Sequence, residues 1–341
     1  MLNQKIKNLK SWQNRFWWIF QSTGMIDHYN KGKQLGNQPI RVTHNVMLYL
    51  FIHDDNEFKK KIIDAVLSKG MNPQVSIIYG DIPLLGDDGK LCTPSVDKNK
   101  KIDVHETYLS YTWIMTYVLF ILYVETIDHP RLNDKLGFEV KKINHDEITR
   151  ARDLFDYGKS LIVDFQEWDK SKLPNPEIYN AEKRDYPEQT NMYYVEAVRF
   201  ALIHEFVHIT KHIDKLKPEQ SDEEILKMEI EADEESINII MEGMEPGREI
   251  VYECGVVMGI LSMFFVRYST KGRKHPNLEE RLVFAINKLN IKSDHQAYGM
   301  ACIGLKLWNE QFGHNLRTNE KLSDKEQFDN LIEQIREMNK D

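Results

Sequence analysis

Residues 108–124 (YLSYTWIMTYVLFILYV) form a run of seventeen without a charge, bracketed by Glu106 and Glu125. A segment like this can satisfy its backbone away from water as a helix at the centre of a large domain or as one crossing a bilayer. Its length is at the lower limit for a span. Four tyrosines, two threonines and a serine lie within it, and no Lys/Arg cluster at either end sets an orientation. We read it as a buried core helix, with a membrane span as the competing reading. A shorter apolar run at 256–266 reads as core on the same grounds. Surrounding one helix on all sides takes several others, which 341 residues with 41 % hydrophobic content can supply.

The remaining composition excludes more than it specifies. With 45 Lys plus Arg against 53 Asp plus Glu, a net charge of -8, the chain does not present the basic surface that tracks phosphates, so no nucleic-acid partner is expected. Cys92, Cys254 and Cys302 are far apart and include no CxxC pair, which suggests neither a disulfide framework nor a cysteine-based metal site and fits a reducing cytoplasm. The N-terminal MLNQKIKNLKSWQNRFWWIF lacks the basic, apolar and small-residue regions of a signal peptide.

Turn signals and changes of hydrophobic period divide the chain. Residues 40–52 (IRVTHNVMLYLFI) are rich in β-branched and aromatic types, and 75–79 is a short apolar run followed by Gly86-Asp87-Asp88-Gly89; these read as strands with a hairpin. Helical periodicity then predicts helices near 106–126, 146–169, 190–214, 222–242, 248–268, 277–290 and 297–312. Leu173-Pro174-Asn175-Pro176 breaks the second from the third. The last residues read as a charged surface helix that frays. The expected fold is α+β, mostly α: a mixed N-terminal region at 1–100, a helical core at 101–315 and a C-terminal helix at 316–341.

Within the helix near 190–214 stands Ile203-His204-Glu205-Phe206-Val207-His208, an HExxH match. Positions i and i+4 share a helix face, so His204 and His208 can offer imidazole nitrogens to one metal ion, with zinc the default occupant and Glu205 beside its water as general base. A third ligand must come from elsewhere. On an unbroken helix His212 lies about 12 Å along the axis from His204, too far to share the ion, and reads as a helix-end cation or substrate-rim residue. Glu229, in Glu-x-x-Ala-Asp on the next helix, is the better candidate. Twenty residues after His208 suffice to turn near Lys217-Pro218 and bring that helix back, with Ala232 allowing close approach and Asp233 placed to accept the other ring N–H of a ligating histidine. Apolar Ile225, Met228, Ala232 and Ile239 put Glu229 and Asp233 at the edge of a buried stripe.

HExxH, Glu-x-x-Ala-Asp, and His275-Pro276 with Arg281 five residues after the proline together resemble gluzincin peptidases with HExxH and ExxAD motifs. The closer resemblance is to the phage-exclusion peptidase Lit family, whose pattern also includes a Trp and a Pro-x-Pro-Glu-x-Tyr element, here Trp168 and 174–179, and an apolar helix in the position of 106–126. The likeness covers roughly residues 100–290. It implies a zincin-like core of packed helices, His204, His208 and Glu229 as zinc ligands, Glu205 as catalytic base, and His275 and Arg281 as matched positions. It further implies a protein substrate inside a bacterial cell, a translation factor being the known target type, cleaved during phage infection, and a phage or host peptide as activator. Thr210 departs from the apolar residue usual two positions after the second histidine.

The reading is a soluble, cytoplasmic zinc metalloendopeptidase, with His275 or one of Tyr193, Tyr194 and Tyr252 as oxyanion donor and Arg281 as an ion-pair partner for a helix carboxylate. The competing readings are a membrane-embedded HExxH/ExxAD protease and a catalytically silent zincin-fold toxin or binding module.

Overall fold

The computed structural model describes residues 35–53, 55–87, 89–179, 184–217 and 219–340. The N-terminal segment weighed above for a signal peptide, Asp88 of the hairpin turn and Pro218 lie outside them. The segment 106–126 becomes α3 (Glu106–Tyr123), opened by His105, whose side chain accepts the Thr107 N–H, and continued through a π turn (Val124–Asp128) into α4 (His129–Leu136). Every α3 side chain is buried. It is enclosed by α5 (His145–Val163), α6 (Asp185–Val207), α8 (Glu249–Ser262) and α10 (Gln296–Phe312).

Burial of so many hydroxyls requires partners, since an unpaired one costs about 1–3 kcal/mol. Tyr111 donates to the Ser262 carbonyl at 2.6 Å, Tyr117 to Glu147 at 3.1 Å and Thr116 to the Thr112 carbonyl at 2.8 Å, while the Trp113 indole donates to Asn191 at 2.6 Å. By length and composition both 106–136 and 249–266 could cross a membrane, yet 94 % and 72 % of their most apolar stretches are buried inside this fold. That burial is consistent with a soluble protein.

The helix carrying HExxH, α6, lies closest to α8, and Gly255 is what allows it. A Cβ at Gly255 would stand 2.5 Å from the Glu196 Cβ and 2.9 Å from the Tyr193 carbonyl oxygen. Helix α7 (Asp222–Gly243) begins with a capping box of Ser221 and Glu224 and crosses α6, and α9 (Leu278–Lys288) packs on both α7 and α8. With 64 % of the described residues helical and one small sheet among them, the fold is mostly-α α+β, as the sequence led us to expect.

Residues 40–52 are not a strand. A one-turn helix (Pro39–Thr43) leads into α1 (His44–His53), which buries Val46, Met47, Leu50 and Phe51, a helical spacing that their β-branched and aromatic surroundings obscured. A further helix, α2 (Asn56–Lys69), had not been expected. Asp55 caps it by accepting from Glu57 and Phe58 N–H, Gly70 ends it at φ 66°, and Phe58, Ile62 and Ala65 form its buried stripe. The expected strand at 75–79 is β1 (Ser76–Ile78), parallel to β3 (Ile102–His105), which also pairs antiparallel with β2 (Ser95–Val96). The expected hairpin is closed by a Leu85–Leu91 bridge and a 2.8 Å bond from Gly86 N–H to the Lys90 carbonyl.

The C-terminal helix α11 (Asp324–Met338) is more than a fraying surface element. It buries Phe328, Leu331, Ile332 and Ile335 and packs on α10 and α9, where Arg336 makes a two-point pair with Glu280 at 2.7 and 3.0 Å. Trp168 and the 174–179 element are built into the scaffold. Trp168 lies against Trp113 and Tyr157, and Asn175 accepts the N–H groups of Glu177 and Ile178. Buried Glu177 then receives Arg41 at 2.7 Å and Lys170 at 3.0 Å. The three cysteines are free.

Candidate metal centre

At its C-terminal end α6 delivers His204 and Glu205 and passes into a π turn (His208–His212); α7 crosses there and adds Glu229. The Nε2 atoms of His204 and His208 face each other at 3.0 Å, and Glu229 stands 3.2 Å from the first and 3.4 Å from the second. A tetrahedral ion with bonds near 2.0–2.2 Å separates adjacent donor atoms by about 3.3–3.5 Å, so the spacing suits a zinc-sized cation. Such a cation would also resolve a conflict within the site. Both histidines have their Nδ1 engaged elsewhere, which leaves two ring lone pairs and a carboxylate aimed at one point.

Those outer partners fix the tautomers. Asp233 lies 3.0 Å from His204 Nδ1 and is itself clamped by Arg281, whose Nε and Nη2 each donate at 2.7 Å. His204 therefore carries its proton on Nδ1 and presents Nε2 to the centre. His208 Nδ1 faces His212 Nδ1 at 3.0 Å, and His212 Nε2 faces Glu231 at 3.2 Å. The consistent assignment is a chain of donors from His208 through His212 to Glu231. His212 is buried, and burial lowers its pKa against the Glu231 hydrogen bond, so it is not the helix-end cation expected from sequence. His212 lies within the π turn, one turn beyond His208 on the same face. Thr210, within that turn, donates back to the Phe206 and Val207 carbonyls at 3.1 and 3.2 Å.

The charges follow from this wiring. Burial resists ionisation of Glu229, but hydrogen bonds from His204 and His208 outweigh it and hold the carboxyl well below its usual range. Burial likewise opposes ionised Asp233, yet Arg281 and His204 bring it down to about 2. For His204 burial disfavours the charged ring, while Asp233 and Glu229 override it and raise the pKa to about 9 when only a proton competes for the site. Glu205 moves the other way: burial raises its carboxyl, opposed by the two imidazoles, a setting suited to accepting and returning a proton.

A cavity of about 530 Å³ opens over His204, Glu205 and Glu229, within the roughly 300–1,000 Å³ typical of ligand clefts. Ala197, Phe200, Gly259, Met263 and Leu278 give it an apolar wall, and the hairpin contributes Gly89, Lys90 and Leu91. His275 lines it from a loop folded so tightly that a Cβ on Gly272 would stand 2.0 Å from the His275 carbonyl oxygen. Its Nε2 lies 3.8 Å from Glu229, and with 54 % of the side chain exposed it is free to meet a ligand. Partial desolvation in the cavity, opposed by Glu229, lowers its pKa from the ordinary value. The three tyrosines considered as oxyanion donors lie elsewhere: Tyr193 receives Gln296 at 3.1 Å, Tyr194 and Tyr252 are wholly buried, and none lines this cavity. Tyr108 does line it, close enough to Glu205 and Arg281 to feel both charges, with its phenol pushed up to about 12 by burial. The signal for it was faint, a tyrosine at the very edge of an otherwise apolar run.

The peptidase U49 family model matches residues 102–301, more than half of the chain. The chain belongs to the peptidase U49 family. Neither a curated protein nor a solved structure matches it. The U49 match runs from β3 into α10 and takes in HExxH, Glu229, Asp233, His275 and Arg281, leaving α1, α2, β1, β2 and α11 outside. The protein is thus a peptidase whose family region contains the whole candidate metal centre, and His204, His208 and Glu229 are able to hold a metal ion.

Proposed function

We propose that this U49 peptidase is a zinc-dependent metalloendopeptidase of the Lit type, cleaving a protein substrate in the bacterial cytoplasm. The observation that carries the reading is the convergence of His204, His208 and Glu229 on one point, with His204, Glu229 and the neighbouring Glu205 lining one cavity. A zinc ion held there supplies a Lewis acid for the scissile carbonyl and acidifies a water molecule. Glu205 then takes the proton from the attacking water and returns it to the departing amine, a role that its raised pKa favours. Tyr108 and His275, which both line the cavity, are our candidates for the O–H and N–H donors to the developing oxyanion. Asp233, clamped by Arg281, and His212 keep the two imidazoles in the tautomers that the ion requires.

Cytoplasmic location and phage defence rest on the resemblance to Lit peptidases and, for solubility, on the burial of both apolar helices. A translation factor as target and a phage or host peptide as trigger come from the same resemblance. Residues 1–100 are the proposed substrate-binding or regulatory part, since their hairpin reaches into the cavity rim.

The test is expression in a bacterial host challenged with phage, comparing the natural chain with Glu205→Gln, followed by proteomics for new cleavage products and by fractionation. Glu205→Gln should lose cleavage by about a hundredfold or more, because the amide fills the same space but cannot take the proton. Activity within about tenfold of the natural chain would exclude Glu205 as base. Recovery of the chain in a membrane pellet resistant to salt and alkali would exclude the cytoplasmic assignment.

A further inference from the structure

The cavity over the metal centre holds more positive charge than its own carboxylates occupy. Among the described residues, its acidic lining is Glu205 and Glu229 alone, the first assigned to proton transfer and the second held between two imidazoles. Facing them are Lys90, Arg267, Lys274 and Arg281. Arg281 is fully engaged with Asp233. Arg267 and Lys274 make no ion pair with any described residue.

The backbone of Arg267 is held in place. It follows the one-turn helix Phe264–Val266, whose two phenylalanines are buried, and its carbonyl accepts the Trp308 indole at 3.1 Å. The side chain leaves this anchor for the cavity, where its charge is felt by both Arg281 and His275. Arg267 itself remains exposed, and partial desolvation and then repulsion from Arg281 disfavour its charged form, the opposite of what a guanidinium experiences beside its own carboxylate. Arg267 and Lys274, both exposed along the lining of one cavity and without an ion pair among the described residues, are open to a counter-charge that a ligand can bring.

We propose that Arg267, supported at the rim by Lys274, recognises a carboxylate of the peptide substrate beside the scissile bond, next to a residue seated on the apolar wall of Phe200, Met263 and Leu278. The inference rests on the peptidase reading and gives it a substrate class: segments with an acidic side chain close to the cleavage point. A C-terminal carboxylate has the same chemistry, and amidated and free peptides separate the two sources.

The experiment measures binding and turnover in parallel. Positional-scanning hexapeptides, N-acetylated, with Glu or its isostere Gln at each fixed position, and with either an amidated or a free C-terminus, are titrated by fluorescence anisotropy against full-length Glu205→Gln protein supplied with zinc. The same peptides are offered to the natural chain for cleavage. At one position the Glu peptides should bind about tenfold more tightly than their Gln twins, with the C-terminus amidated. In the Arg267→Gln background that preference should fall to within about twofold, Arg267→Lys should retain most of it, and Arg267→Glu should shift it to Lys peptides. Preference for the free C-terminus alone would place the recognised carboxylate there. Equal binding of Glu and Gln twins at every position with either terminus, or a preference undiminished by Arg267→Gln, would overturn the proposal. Acid-selective binding through Arg267 without cleavage by the natural chain would instead count against the peptidase reading, and cleavage without acid preference against this inference alone.

Discussion

Replacing Asp233 with Asn separates what this carboxylate does for the metal from what it does for the fold. Asp233 is 4 % exposed and serves two partners, His204 Nδ1 at 3.0 Å and the Arg281 guanidinium through two 2.7 Å bonds. The amide keeps the volume, and its oxygen can still accept from His204, but the charge is gone. Loss of an outer partner of a ligating histidine weakens metal affinity about 10–100-fold, equivalent to about 1.4–2.7 kcal/mol. Arg281, its side chain 9 % exposed, meanwhile loses its counter-ion, and breaking a buried pair from one side costs about 3–5 kcal/mol of stability. The second cost should be recoverable. Asp233→Asn combined with Arg281→Met removes the stranded charge, and the metal-free double variant should regain most of the lost stability while zinc affinity stays low. The assays are urea unfolding of the chelated proteins and competition for zinc with a chromophoric chelator. If the single variant binds zinc as tightly as the natural chain, Asp233 does not orient His204. If the double variant recovers zinc affinity along with stability, the metal effect was only an echo of the fold.

Zinc affinity should also depend on pH with a definite sign. Because Asp233 and Glu229 raise His204 to about 9, the ion must displace a proton below that pH, and affinity should fall by about tenfold per unit as the solution is acidified from pH 8 to 6. The metal-free fold has the opposite dependence: the contribution from charged His204 is complete below about 6.5 and is lost as pH rises through about 9, so chelated protein should melt lower at pH 9.5 than at 6.5. His212→Ala should weaken zinc binding by about tenfold, measured with the same chelator, and an unchanged affinity would show that the His208–His212–Glu231 chain has no hold on the ion. Gly255→Val should destabilise by about 1–3 kcal/mol or more in thermal unfolding, since the Glu196 Cβ and the Tyr193 carbonyl already occupy the space; neutral behaviour would refute the close approach of α6 and α8.

Much of this site was legible because its parts are local in sequence. His204, Glu205 and His208 share one helix turn, and Glu229 and Asp233 share the next helix, so periodicity and ligand chemistry suffice to bring them forward. His275 and Arg281 are remote in sequence and came from the family likeness. The structure seats Arg281 on Asp233 and His275 within 3.8 Å of Glu229. What could not be read depended on tertiary placement. Tyr108 is one of four tyrosines in an apolar run, and only the packing of α3 makes it the one at the cavity. The His212 contact follows the same i,i+4 spacing as His204 and His208, but its burial and its bond to Glu231 depend on the packing of α7. The helix α1 was mistaken for a strand because Ile, Val, Thr, Tyr and Phe carry β propensity, whereas burial of Val46, Met47, Leu50 and Phe51 along one helical face decided the outcome. Trp168 and the Pro-x-Pro-Glu element, recognised as motif residues, serve the scaffold, where Trp113 and Arg41 meet them.

The central claim is that His204, His208 and Glu229 hold one zinc ion for Glu205 to work beside. Elemental analysis of full-length protein purified without chelator tests it most directly. The natural chain and Glu205→Gln should each carry about one zinc per chain, while Glu229→Ala, folded by circular dichroism, should carry little or none. Stoichiometric zinc in Glu229→Ala, or a natural chain that neither contains zinc nor takes it up, would contradict the claim.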